Sequence, residues 1–401
     1  MQLVPLKSVA QQVTVGVPLL FSVRDSSGKL LLARGQRIMD QHLLVALLKR
    51  GMFVDKVELD GEVAQQPRAP APRMDANTTE AEFHSRWQYR QESIRSLLTE
   101  PSAPLDRLVA DEAASLIDLS AAHPDRTIFQ ILRRDQSRYG SYGASHALHV
   151  AAMCGLTARR MGWPEEVIHS LVCAALTMNI SIINLQGQLA SQHGRMTDEQ
   201  RHRIRRHPQD SAAMLSAAGV TDMLWLQAVE QHHETPDGQG YPQGRVLVCD
   251  LAQMLHHVDI FAAKISARAT RRAMMPNQAA RSIFLQKEGH PLAVALIKEF
   301  GIYPPGCFVK LQSGEAAIVV QRGKTANTPV VKALTDAHGR ALAKPLTRDT
   351  ADKAFAVTSA TAEANIMIKV PWHLLFGQDE AGEEAGVTVA RLGAQTSGSP
   401  T

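Results

Sequence analysis

The spacing of apolar residues changes twice along this chain. Over residues 1–60 apolar and polar positions alternate: Val13-Thr14-Val15-Gly16-Val17 leads to Leu19–Val23, then a turn at Arg24–Lys29 and a further run at Leu30–Ala33. Such alternation predicts short strands. From Asp40 to Arg50 the spacing of Leu43, Leu44, Leu47 and Leu48 predicts a helix, with Gly51 as its stop. Together these give a small N-terminal α+β module. Residues 61–79 hold Gln65–Pro72, rich in proline and alanine, and read as a linker. A charged segment over 80–103 reads as a helical arm, a solvated face or a dimer contact.

Residues 104–301 carry helical periodicity almost throughout, which predicts an all-α domain. Helices are expected at Leu105–Leu119, Arg126–Gln136, Ala144–Met161, Pro164–Met178 and Thr197–His207, then at Asp222–His233, Val246–Thr270, Pro276–Phe284 and Pro291–Phe300. Thr197 followed by Gln200 has the form of a capping box. Period-two patterning returns at Phe308–Leu311, Ala316–Val320, Pro329–Leu334 and Ala354–Val357, which predicts a small C-terminal β module over 303–376. Residues 377–401, rich in Gly, Glu, Ala and Ser, read as a disordered tail.

Composition narrows the class. At 45% hydrophobic and 20% charged, the 401 residues suit a soluble protein with a sizeable core. A net charge of +4 is too mild to argue for a nucleic-acid polymer as partner. The four cysteines are scattered without ligand spacing, which points to reduced thiols. The N-terminus lacks a signal-peptide pattern, and no apolar run approaches the roughly 20 residues of a membrane span. The expected compartment is the cytoplasm.

Ten of the sixteen histidines lie between His146 and His257, so the helical domain is where chemistry is expected. The stretch His232-His233-Glu234-Thr235-Pro236-Asp237-Gly238-Gln239-Gly240-Tyr241-Pro242 ends one helix in adjacent imidazoles and continues into a glycine-rich loop. Imidazole is a common ligand for transition metals, and Gly238 and Gly240 let the backbone turn sharply or approach closely. His146, His207, the His232-His233 pair and Asp259 fall on four different helices. Inward side chains from several helices are how all-α domains build metal sites. A histidine such as His207, followed by Pro208, also fits a plain helix end.

These segments resemble the HD-GYP family, bacterial phosphodiesterases that act on cyclic di-GMP through an HD-type helical bundle. The resemblance covers roughly 125–290, through Ser145–Ala151, Arg205-Arg206-His207-Pro208, His232–Pro242 and Val258–Phe261. It implies that His146 and Asp259 belong to one metal, and His207, His232 and His233 to a second. It implies a divalent cation (Fe, Mn or Zn), with one ion or none here. It implies phosphate-contacting roles for Arg268 and Arg271, a contact loop over Glu234, Asp237, Gly238, Gly240, Tyr241 and Pro242, and cyclic di-GMP and diguanylate cyclase-type proteins as partners. A homodimer stays open.

The departures are concentrated. Where the family has His-Asp-Ile-Gly-Lys, this chain reads Met178-Asn179-Ile180-Ser181-Ile182. A bridging carboxylate offsets the charge of paired cations about 3.5–4 Å apart, and an amide does not. A thioether is a poor ligand for hard or borderline metals. Ala262 stands at the family's second aspartate, and Tyr142 where some members have glutamate. The expectation is therefore a degenerate member that binds cyclic di-GMP or a partner without cleaving. An active phosphodiesterase and a metal-free helical scaffold are the alternatives.

Overall fold

A computed structural model of the chain describes residues 3–13, 19, 21–26, 28–32, 38, 47–48, 52–55, 78–101, 104–133, 141–286, 290–362, 366 and 373–376. The chain divides into two units, Met1–Arg73 and Met74–Thr401. In the first, strands β1 (Leu3–Pro5), β2 (Val23–Arg24), β3 (Leu30–Leu32) and β4 (Phe53–Asp55) form an antiparallel sheet in the order β1-β4-β2-β3. A 3-10 helix, Leu6–Gln12, and the buried Leu6, Phe21, Val23, Ile38 and Val54 build its core. Gly28, at φ 84°, allows the β2–β3 turn, and Asp25 Oδ1 accepts the Lys29 N–H across it at 3.0 Å. Most of the predicted Val13–Val17 strand and of the Asp40–Arg50 helix, nearly all of the 61–79 linker and the 377–401 tail lie outside the described residues.

The second unit opens with α1, Glu80–Thr99, started by a reciprocal capping box between Thr79 and Glu82. This helix is no free arm. Phe83, Trp87, Ile94 and Leu98 fall on one side of it and join the main core, so a narrow apolar stripe outweighs a mostly charged sequence. Helices α2 (Leu105–Ala122), α3 (Pro124–Leu132), α4 (Tyr142–Arg160), α5 (Glu165–Thr177) and α6 (Ile183–Ser191) follow. Then come α7 (Asp198–Ala217), α8 (Met223–Gln231), α9 (Asp250–Lys264), α10 (Pro276–Gln286) and α11 (Pro291–Phe300). Helix α4 is buried nearly all round, with alanines at 144, 147, 151, 152 and 158 that let neighbours approach closely.

Three expectations need correction here. Residues Glu165–Ser191 form a helical run of 27 residues with mean hydropathy 1.6, long and apolar enough to cross a membrane. Its best window is 78% buried inside the domain, as a core helix would be. Helix α7 does not stop at His207 either, but continues through Pro208 to Ala217. Helix α9 is shorter than its apolar pattern, because Val246 and Leu247 are exposed in the preceding loop.

The C-terminal module is an antiparallel sheet of β5 (Phe308–Leu311), β6 (Ala316–Gln321), β7 (Val330–Thr335), β8 (Ala341–Asp349) and β9 (Val357–Thr361), in the order β8-β7-β6-β5-β9. Strand β8 escapes sequence pattern because it is a largely exposed edge carrying Pro345. The expected strand at Ala354–Val357 is a 3-10 turn, Lys353–Phe355, leading into β9. Phe308, Ile318, Val320 and Leu334 pack against Phe129 of α3, and Arg322 joins Asp125 and Glu299. The sheet is thus fixed to the helical domain.

Candidate metal site

His207 owes its setting to Pro208. A proline inside a helix has no N–H for the carbonyl four residues back, which here is Ile204. The His207 ring supplies the missing donor, its Nδ1–H reaching Ile204 O at 2.5 Å. His232 does the same where α8 ends: its Nδ1–H donates to Val229 O at 2.7 Å, a carbonyl that helix termination leaves without its usual partner. Both tautomers are thereby fixed, and each Nε2 keeps a lone pair. These two Nε2 atoms face each other at 3.0 Å.

His233 completes the group. Its ring lies 4.2 Å from that of His232 and 5.0 Å from that of His207, centroid to centroid. One ligand atom from each of the three histidines lies within 4.8 Å of the others. Burial pushes all three imidazoles toward the neutral form, His232 to about 3, and the mutual proximity of the rings reinforces the shift in His232 and His233. Converging lone pairs on neutral rings repel unless a cation lies between them. This donor set fits a transition metal.

His146 and Asp259 meet on the other side, with Nε2 to Oδ1 at 2.7 Å. Burial raises the Asp259 carboxyl, but the His146 hydrogen bond and the nearby imidazoles outweigh it and hold the group well below the usual carboxylate range. The negative charge of Asp259 acts in turn on His207, His232 and His233, so both halves share one electrostatic site. The Tyr142 ring stacks on His146, centroids 5.7 Å apart and tilted by 8°.

The Met178–Ile182 turn leans on this site through Ser181. Ser181 Oγ donates to His207 O at 3.3 Å and lies 2.8 Å from Ser211 Oγ. Met178 is buried in the apolar core and Ile182 is buried as well, while Asn179 forms no side-chain hydrogen bond among the described residues.

The loop after His233 is a rigid bracket. Glu234 is buried, with Oε1 accepting the Gln243 N–H at 2.7 Å and Oε2 the Arg245 N–H at 2.9 Å. Both its oxygens therefore serve the loop backbone. Asp237 Oδ1 accepts from Gln239 N at 3.0 Å and from Thr235 Oγ1. At Gly240 a Cβ would fall 2.5 Å from Glu234 Cα and Thr235 N, so only glycine fits. Tyr241, joined to Pro242 by a cis peptide bond, stacks on His233 with centroids 4.6 Å apart.

Of the two arginines singled out, Arg268 reaches the site: Nη2 donates to Tyr142 Oη at 3.3 Å and the guanidinium covers that ring. Arg271 instead donates to Ala263 O near the end of α9 and is exposed. Sequence reading passed over His256, whose Nδ1 donates to His232 O at 3.0 Å. Its place three residues before Asp259 on one helix face is the signal that would have found it.

Residues 106–290 match the HD domain family. Over 242 residues the chain is 28% identical to the cyclic di-GMP phosphodiesterase PA4108 of Pseudomonas aeruginosa, covering 59% of this chain and 58% of that protein. The helical domain is similar to the HD domain family over nearly all of its length. The chain is also 27% identical over 170 residues to the cyclic di-GMP phosphodiesterase response regulator RpfG of Xanthomonas campestris, covering 40% of this chain and 43% of the other. A 3'3'-cGAMP-specific phosphodiesterase of Vibrio cholerae is 28% identical over 135 residues, 33% of this chain and 31% of that protein. The chain therefore spans less than two thirds of the length of each curated relative it matches. A solved HDG"Y"P protein from Bdellovibrio bacteriovorus, Bd1817, aligns at 16% identity with a TM-score of 0.44, over 74% of this chain and 97% of the other.

Proposed function

We propose that this HD-GYP domain binds cyclic di-GMP at a site that holds one divalent metal through His207, His232 and His233, and that it does not cleave the ligand. The supporting observation is the pair of Nε2 lone pairs 3.0 Å apart, each locked by a carbonyl on the far side of its ring. A divalent cation (Fe, Mn or Zn) held there supplies positive charge for a phosphate oxygen. Met178 and Asn179 add no anionic ligand, so a second cation lacks charge compensation beside the first. Each tenfold loss of rate is about 1.4 kcal/mol of barrier, and losing a bridging carboxylate together with a lysine removes many such steps.

Binding is left to the rim: Arg268 for phosphate, and the braced Glu234–Pro242 loop for ligand or partner. In this reading the protein is a sensor whose loop is offered to another signalling protein, a diguanylate cyclase-type partner among them. Arg271, held on the end of α9, reaches phosphate only after leaving Ala263 O. The second reading, an active phosphodiesterase, draws on the activity carried in the names of the curated relatives.

The test is a calorimetric titration of the metal-supplemented full chain with cyclic di-GMP, followed by chromatography of the same mixture. Saturable binding with the cyclic dinucleotide recovered intact is expected. Conversion to a linear dinucleotide would favour the active enzyme, and absence of any binding would contradict the ligand assignment.

A further inference from the structure

The site is flanked by two stacks of the same composition. On one side His146 lies under Tyr142, and Tyr142 under Arg268, whose Cζ is 5.5 Å from the ring centroid. On the other side His233 lies under Tyr241, and Tyr241 under Arg205, again with Cζ at 5.5 Å. The second stack belongs to the three-histidine half, since Tyr241 also lies 6.5 Å from His207, ring to ring.

Arg205 differs from two neighbouring arginines on α7. Arg201 pairs with Asp198 and Arg206 with Asp210, whereas Arg205 has neither carboxylate nor hydrogen-bond partner among the described residues. Stacking occupies the face of a guanidinium and leaves its N–H edge available, and that edge matches two oxygens of a phosphate. The surroundings favour an anion as well. Between Arg195 and His207 the chain carries five arginines against two carboxylates, Asp198 and Glu199. A surplus of one sign beside a cleft raises the local concentration of oppositely charged ligand.

We infer that Arg205 is a phosphate-binding residue on the three-histidine side, held over Tyr241 so that its edge meets a phosphate of the ligand. This rests on the proposed function for the identity of the ligand and extends it. A cyclic dinucleotide carries two phosphodiesters, and the two His–Tyr–Arg stacks give an arginine to each side of the site. The shared chemistry is a phosphate oxygen pair, whether from the dinucleotide or from a free phosphate.

The test compares wild type with Arg205→Met, which keeps an extended side chain over Tyr241 without charge, and Arg205→Lys, which keeps the charge without the fork. Cyclic di-GMP and inorganic pyrophosphate are titrated separately, by calorimetry and by phosphorus NMR, with metal content measured in each sample. Arg205→Met should weaken cyclic di-GMP binding by about tenfold or more, a charged hydrogen bond's worth. Arg205→Lys should recover part of the loss, and metal content should stay at the wild-type level. Equal affinity of Arg205→Met and wild type for cyclic di-GMP would overturn the inference. Should wild type bind no cyclic di-GMP, the ligand assignment fails, and pyrophosphate decides about Arg205. Weaker pyrophosphate binding by Arg205→Met would then uphold an anion site, and unchanged or absent pyrophosphate binding would overturn it.

Discussion

The Nε2 atoms of His207 and His232 stand 3.0 Å apart, although the Nδ1 of each ring is already committed as a donor to a backbone carbonyl. Neither ring can turn its lone pair away without giving up its bond to a backbone carbonyl. Substituting His207→Ala or His232→Ala should therefore abolish metal retention. The loss should exceed the roughly 10–100-fold that follows removal of a merely supporting partner. Metal titration of the two variants beside Met178→Ala, which should retain wild-type affinity, checks this.

Pro208→Ala gives α7 a backbone N–H for Ile204 O, in competition with the His207 ring. A proline inside a helix costs about 3 kcal/mol. The variant should melt at or above the wild-type temperature yet bind metal about tenfold more weakly, in line with loss of a supporting hydrogen bond. Unchanged metal affinity would show that the ring does not depend on that carbonyl.

Gly240→Ala pushes a methyl group to 2.5 Å from backbone atoms of Glu234 and Thr235. None of these atoms can yield by a rotamer change. Destabilisation of about 1–3 kcal/mol is expected, as for overpacking elsewhere. Limited proteolysis should cut the variant between Glu234 and Arg245 faster than wild type.

At the start of α1, burial raises the Glu80 carboxyl from 4.5 to about 6, against the opposing charge of Arg126 at 2.9 Å. The folded state thus holds this proton more tightly than the unfolded chain. Stability from this group is fully present below pH 4.5 and is lost as the pH rises through about 6. Glu80→Gln should flatten that part of the profile. Thermal unfolding between pH 4 and 7.5 measures it, and an equal slope in both proteins would contradict the assignment.

Much of this architecture was legible in the sequence. Helical periodicity marks the helical domain, and the run from His232 to Pro242 marks the candidate site, because these residues keep their order whatever packs around them. The role of Pro208 was not legible. Read locally it marks a helix end, and only the His207 ring, by taking Ile204 O, lets the helix continue. Trp87 and Phe83 of α1 were hidden by the charges between them, and β8 by its exposed edge. The stacks of Tyr142 on His146 and Tyr241 on His233 join residues from the same helix and from a loop. The second depends on a loop path that spacing does not reveal.

The most direct test is metal stoichiometry at saturation, read by elemental analysis of the full chain after loading with iron, manganese or zinc and removal of excess. One ion per chain, lost in His232→Ala and retained in Asp259→Asn, is the predicted result. Two ions per chain, or one that survives His232→Ala, would contradict a single three-histidine centre.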